Sequence, residues 1–240
     1  MSQATGHGGE STVETKEVFE RVARTYDRLN HLFSFNADAR WRRRLIASSE
    51  LTAGRSVLDV CTGTGDVAIA FARSEASARI TALDFSENML SRARAKIDAG
   101  GLAERIDLIQ GDALALPFDD ERFDVVSISF GLRTLADRPR AVRELVRVTK
   151  RGGRLLIMEF APPPATLFGL LYRFYLHRFM PFMGDLLSGY RVSYSYLDTS
   201  IAGFPVASEV PILMADAGLG EVESERLTGG IAYLFRALKP

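Results

Sequence analysis

The stretch Val57-Leu58-Asp59-Val60-Cys61-Thr62-Gly63-Thr64-Gly65-Asp66 constrains this chain more than any other. A short apolar run passes straight into a glycine turn, and Val67-Ala68-Ile69-Ala70 then opens a helix. A parallel strand ending in such a turn presents bare backbone at its carboxyl end, where open α/β sheets hold ligands. Gly63 and Gly65 carry no β-carbon to obstruct that approach. The free N–H groups of the helix's first turn face the same crevice. Gly63, Gly65 and Ala68 also satisfy the G-x-G-x-x-G/A dinucleotide fingerprint, so the turn alone does not choose the ligand.

A chain of 240 residues without an internal repeat is expected to form one domain. Thirty basic residues balance thirty acidic ones, which argues against a dedicated nucleic-acid binder. The single cysteine, Cys61, cannot form an internal disulfide, which fits a reducing cytoplasm. It reads as a small buried hydrophobe of the first strand. Met1 to Ser11 lacks an apolar core and reads as a disordered tail, not a signal peptide. The domain is therefore placed at 13–240, after a tail at 1–12. No apolar run reaches the roughly 18 residues that span a bilayer. His7, His31 and His177 lie far apart, and no metal site is expected.

Residues Thr15 to Leu32 carry Val18, Phe19, Val22, Tyr26 and Leu29 on one helical stripe. A second helix is expected over Asp38–Glu50, with Trp41 and the run Arg40, Arg42, Arg43, Arg44. These arginines read either as a solvated face or as a contact for anionic lipid headgroups. Beyond these N-terminal helices (13–52) strands and helices alternate: strand Ser56–Cys61, helix Asp66–Ser74, strand Arg79–Asp84, helix Ser86–Ala99. Strands Ile106–Gln110 and Phe123–Ser129, helix Pro139–Lys150 and strand Arg154–Phe160 follow, with Gly152-Gly153 as the break. Such alternation implies a parallel sheet covered on both faces. An aromatic insertion at 162–204 comes next. Then a helix near Ser208–Ala217 leads to strands Glu221–Leu227 and Ile231–Leu238, joined by a hairpin turn at Thr228-Gly229-Gly230.

Polar residues recur at the carboxyl ends of the strands. Asp84 lies about 20 residues beyond the glycine turn, where an acid accepts hydrogen bonds from both ribose hydroxyls. Asp112 and Ala113 follow the third strand and can read an adenine edge. Ser129 closes the fourth strand and faces the crevice. The sequence resembles the ubiquinone/menaquinone biosynthesis C-methyltransferases (the UbiE/MenG family). The resemblance runs from Val18-Phe19 and Asn30-His31-Leu32-Phe33-Ser34-Phe35 through Leu58-Asp59-Val60 and Thr64-Gly65-Asp66. It continues with Ala115-Leu116-Pro117-Phe118, Ser129-Phe130-Gly131-Leu132-Arg133, Met158-Glu159-Phe160, Tyr194-Ser195-Tyr196-Leu197 and Leu227-Thr228-Gly229-Gly230. Two positions depart from the family pattern: Thr134 where asparagine is usual, and Asn36 where glycine is usual.

The resemblance implies a class I S-adenosylmethionine-dependent (SAM) methyltransferase. Its Rossmann-like sheet has seven strands, mostly parallel, with an antiparallel terminal hairpin strand. The implied reaction moves the methyl of SAM to a ring carbon of a prenylated hydroquinone in menaquinone biosynthesis, with S-adenosylhomocysteine as product. Ubiquinone remains an open second pathway. Gly63, Thr64, Gly65, Asp84, Asp112, Ala113 and Ser129 are the expected cofactor residues. Removing a hydroquinone proton, whose pKa is near tyrosine's value of about 10, pushes electron density onto the ortho carbon. Arg133 is the expected catalytic residue, stabilising the phenolate or orienting a water, and Tyr26 is a second candidate. A salt bridge from Arg133 to an acid such as Asp137 is the purely structural alternative. The insertion at 162–204 reads as acceptor pocket and lid, or as core packing. A cytoplasmic enzyme is expected, with peripheral contact to the inner membrane face and the oligomeric state left open. Another small-molecule methyltransferase, a nicotinamide-dependent oxidoreductase and a non-catalytic scaffold are the competing readings.

Overall fold

A computed structural model describes residue 34, residues 37–175, residue 201 and residues 204–240. The expected tail, the first helix with Tyr26, Asn36, and the aromatic insertion beyond Tyr175 (apart from residues 201 and 204) lie outside the described residues.

Helix α1 (Asp38–Ser48) buries Asp38, Trp41, Leu45 and Ser48, spaced so that they share one face. The alternating segment then forms β1 (Ser56–Val60), α2 (Asp66–Ser74), β2 (Arg79–Asp84), α3 (Glu87–Ala99), β3 (Ile106–Gln110) and β4 (Phe123–Ser129). Ser86 caps α3 by accepting the Met89 N–H at 3.4 Å. Asp137, the other expected cap, accepts the Arg140 N–H at 2.9 Å and starts α4 (Arg138–Val148). The chain continues as β5 (Thr149–Phe160), α5 (Leu167–Phe174), α6 (Val206–Asp216), β6 (Glu223–Leu227) and β7 (Ala232–Leu238).

The strands form one sheet in the order β3-β2-β1-β4-β5-β7-β6. β1 to β5 pair in parallel, while β7 runs antiparallel to both β5 and β6. The order reverses between β1 and β4, and at such a switch point an open sheet leaves a crevice outside its strand ends. Neighbouring strand residues serve opposite faces. Val57, Val125, Leu156 and Leu234 join Trp41, Phe71 and Ala93 on one side. Leu58, Val126, Leu155 and Phe235 join Leu145 and Met214 on the other.

Two local expectations are corrected. First, Gly152-Gly153 does not separate a helix from a strand, because α4 stops at Val148 and β5 runs through the glycines. The pairing Phe123↔Thr149 jumps to Val125↔Arg154, so the extra residues bulge out of the ladder. The C-terminus pins that bulge: Gly152 N–H donates to Lys239 O at 2.8 Å, and Lys239 N–H to Gly153 O at 2.9 Å. Second, Cys61 is not in the first strand; its φ of +56° ends β1 and leaves it half-buried at a loop. The described start of the insertion is part core and part surface. Tyr172 is buried, but Leu167, Leu170, Leu171 and Phe174 of α5 are 74%, 63%, 60% and 66% exposed.

A β-carbon at Gly153 would lie 2.7 Å from Lys150 O and 3.0 Å from Asp124 O, both backbone atoms. Gly220 has nothing within 4 Å and no left-handed φ. Gly153→Ala is therefore expected to lose about 1–3 kcal/mol through overpacking, whereas Gly220→Ala gains a few tenths from the unfolded state. Urea midpoints compared with the wild type check both, and equal shifts would contradict this packing.

Candidate active site

The site is built by two sharp turns at the carboxyl ends of β1 and β4. Cys61 at φ +56° and Phe130 at φ +58° both stand in the left-handed region, which costs a non-glycine residue roughly 1–2 kcal/mol. Gly131 allows the two turns to meet, since a β-carbon there would lie 2.5 Å from Cys61 Cβ. Beyond Cys61 the chain folds back over the end of β2. Thr62 N–H donates to Leu83 O at 3.0 Å, and Gly63 N–H donates to Asp84 Oδ2 at 2.8 Å. Asp84 Oδ1 accepts the Ser86 N–H at 3.0 Å. Burial pushes the Asp84 carboxyl up from its ordinary pKa.

The crevice has two connected halves that share Cys61, Gly63, Ser129 and Phe130. One contains Asp84, Phe85 and Met89, with Gly131, Thr134 and Leu135. The other is roofed by Asp38 and Arg42 of α1 and floored by Asp59, Thr62, Thr64 and Asp66. Asp59 is fully buried and accepts hydrogen bonds from Thr62 Oγ1 at 2.6 Å and Ser127 Oγ at 2.8 Å. Desolvation dominates and raises its pKa to about 6, with the charge of Asp84 adding to the rise. Thr64 Oγ1 and Asp66 Oδ1 each take a hydrogen bond from Lys96 Nζ, at 2.9 Å and 2.8 Å. Ser129 Oγ is buried and has no hydrogen-bond partner among the described residues. A hydroxyl taken out of water and left unpaired costs about 1–3 kcal/mol unless a ligand completes it.

The fold thus brings Gly63, Thr64, Asp84 and Ser129 together. Gly65 does not line the crevice. Its φ of +82° caps α2, and a β-carbon there would lie 3.1 Å from Ala93 Cβ, so it serves helix packing. Asp112 lines neither half; it is exposed and accepts the Leu114 N–H at 2.8 Å, while Ala113 packs in the core. Arg133 carries an ion pair, but with Glu159 instead of Asp137. The two side chains are 4% and 0% exposed, and Arg133 N–H donates to Glu159 Oε2 at 3.1 Å. Its guanidinium lies over the Phe160 ring at 5.4 Å and lines neither half. Thr134 donates its hydroxyl to Gly131 O at 2.7 Å. Sequence reading missed Asp59, although a lone charge inside an apolar run was a signal. It also missed that Asp38 and Arg42, four residues apart, turn toward the strand ends.

An unpaired buried hydroxyl, a buried acid at the end of β2 and a charged half opposite fit a nucleoside that carries an α-amino acid, as SAM does. This fit comes from the donors and acceptors alone. Asp59 binds a proton in the folded state that the unfolded chain releases from about pH 4 upward. Its contribution to stability is therefore present at low pH and is lost as pH rises to about 6. Asp59→Asn escapes this loss. Its stability advantage over the wild type should grow between pH 4 and 6 and level off at no more than about 3 kcal/mol. Urea unfolding at pH 4.5 and 7.5 checks this, and a difference independent of pH would contradict it.

Comparison with known proteins gives the family and the fold. The chain is 44% identical over 93% of its length to all of the demethylmenaquinone methyltransferase of Thermus thermophilus. It is 38% identical over 99% of its length to 98% of a ubiquinone/menaquinone biosynthesis C-methyltransferase of Pseudoalteromonas translucida. A crystal structure of a SAM-dependent methyltransferase from Methanococcus maripaludis superposes with a TM-score of 0.64. It is 20% identical, with 100% of this chain and 97% of that one covered, which establishes the shared fold. Residues 7–239 match the model of the ubiE/COQ5 methyltransferase family, and the chain belongs to that family.

Proposed function

We propose that the chain transfers the methyl group of SAM to a ring carbon of a prenylated hydroquinone, in the manner of demethylmenaquinol becoming menaquinol. The carrying observation is the unpaired Ser129 hydroxyl on the floor shared by both crevice halves. One ligand reaching from Asp84 to the charged half would pass over it and complete it. In this reading Asp84 takes the ribose hydroxyls and Ser129 completes its hydrogen bond on the cofactor. Gly63 and Thr64 lie along it, and the adenine is assigned to Asp112 and Ala113, beyond the residues that line the two halves. When bound, the cofactor supplies an electrophilic methyl on a sulfonium. Phe130 and Phe160, whose rings lie 4.3 Å apart, form an apolar wall at the charged half. Such a wall excludes water, and a reaction that neutralises charge benefits from a dry site.

Arg133 acts in this reading as a positioning residue. Its guanidinium bonds Phe130 O and Glu159, and so fixes the turn that carries Phe130. Tyr26 is left as the group that positions the quinol. The exposed apolar side of α5 receives the prenyl tail and touches the membrane in which that tail resides, so a cytoplasmic enzyme reaches its acceptor without a spanning segment. Among the described residues no helix is long and apolar enough to cross a membrane.

Methyl-labelled SAM offered with a reduced demethylnaphthoquinol, a reduced methoxy-benzoquinol and a catechol tests the reaction. Label on a quinol ring carbon is expected, and label only on catechol oxygen would overturn the acceptor. Removing one partner of a buried ion pair costs about 3–5 kcal/mol, so Arg133→Met should destabilise strongly and Arg133→Met with Glu159→Met should recover much of the loss. The double variant is expected to turn over within about tenfold of the wild type. A loss of a hundredfold or more in a stable double variant would mean that the guanidinium acts on the substrate directly. Leu170→Glu with Leu171→Glu should raise KM for a long-tailed quinol and leave a short-tailed one unchanged. Equal KM values for both variants of the tail would remove α5 from the acceptor path.

A further inference from the structure

Resting on the SAM reading above, we infer that Arg42 of α1 binds the carboxylate of the cofactor's amino-acid portion. A nucleoside alone leaves half of this crevice unexplained. The half beyond Ser129 is lined by three carboxylates, Asp38, Asp59 and Asp66, and by one cation, Arg42. An α-amino acid brings one ammonium and one carboxylate. The carboxylates suit the ammonium and repel its partner. Arg42 is the lining group whose charge attracts a carboxylate.

The arginine is held ready for that task. Its Nη1 donates to Asp38 Oδ2 at 2.9 Å and lies 3.5 Å from Asp66 Oδ2. The Asp38 pair is an i,i+4 contact on α1, and Asp66 belongs to the first turn of α2. Its side chain is 21% exposed, so much of its rotamer freedom is already lost before a ligand arrives. Both contacts use Nη1. The Nε–Nη2 edge makes no hydrogen bond to the described residues. Two parallel N–H groups on one edge of a guanidinium match a carboxylate bidentately. A lysine at this position keeps the charge and loses the fork.

The arrangement also explains why the arginine run on α1 is not uniform. Arg44 leaves the crevice for Glu225 on β6, at 2.7 Å, and Arg40 and Arg43 are exposed beside it. Arg42 alone of the run lines the cofactor crevice. Helix α1 therefore contributes to cofactor specificity from outside the alternating strands and helices. A ligand with the nucleoside but without the amino acid has nothing for Arg42 to hold.

Calorimetric titration with two ligands tests this without any turnover. S-adenosylhomocysteine carries both parts, and 5′-methylthioadenosine keeps the nucleoside and sulfur but lacks the amino acid. Arg42→Gln is expected to weaken S-adenosylhomocysteine about 10- to 100-fold, the scale of a lost charge-assisted hydrogen bond. It should leave 5′-methylthioadenosine within about twofold, which also reports that the variant is folded. Arg42→Lys should fall between wild type and Arg42→Gln. Equal weakening of both ligands, or none of either, would overturn the assignment. If wild-type protein bound 5′-methylthioadenosine and S-adenosylhomocysteine equally well, the amino-acid half would not be a subsite and this inference would fail, while the nucleoside reading stood. If neither bound the wild type, the SAM reading itself would fall, and the assignment with it.

Discussion

The close meeting of the turns after β1 and β4 is the contact on which the rest depends. Cys61 and Phe130 are both held at positive φ, and Gly131 sits where a β-carbon would collide with Cys61. Without that contact the two loops would not frame one crevice at the point where the strand order reverses. With it, the Gly63 N–H reaches Asp84, the Ser129 hydroxyl is shut away from water, and Phe130 turns back onto Phe160. Backbone strain of this kind persists only where surrounding structure over-determines it, and it gathers at functional sites. Here the surroundings are two well-packed parallel strands and the Arg133–Glu159 pair beneath Phe130.

The same crevice concentrates polar groups that are costly to bury. Asp59 and Asp84 are buried acids whose pKa values are raised by desolvation, and Ser129 is a hydroxyl without a partner among the described residues. Asp84 satisfies the Gly63 and Ser86 N–H groups and Asp59 the Thr62 and Ser127 hydroxyls, yet both carry the cost of a buried charge. A ligand that completes the Ser129 hydroxyl and lies beside the acids accounts for their place here. Arg133 and Glu159 are different. They bond one another, although Arg133 Nε has no partner among the described residues, and their burial makes the pair a brace whose removal from one side leaves a stranded charge.

Much of the scaffold was legible because alternation of apolar runs and amphipathic segments has few physical solutions. Strands Arg79–Asp84, Ile106–Gln110 and Phe123–Ser129 and helix Asp66–Ser74 lie where their periodicity placed them. Asp84 and Ser129 were legible as polar residues at strand ends. What stayed hidden depends on contacts between distant segments. Glu159 reads as part of an apolar strand, and nothing local marks it as the partner of Arg133. The glycines at 152 and 153 look like a break, and only pairing with Lys239 makes them a bulge. Gly65 was given to the ligand, whereas the approach of Ala93 from α3 claims it. The folding of α1 over the crevice, which brings Asp38 and Arg42 to the site, follows from Trp41 packing on Phe130 and Phe160.

The central claim is that one ligand spans both halves and completes the Ser129 hydroxyl. A crystal structure of the protein with S-adenosylhomocysteine tests it most directly. The expected result is Ser129 Oγ within hydrogen-bond distance of the ligand, with the ribose on Asp84 and the amino acid in the half roofed by α1. A ligand bound elsewhere, or bound with Ser129 Oγ still unpaired, would contradict the claim.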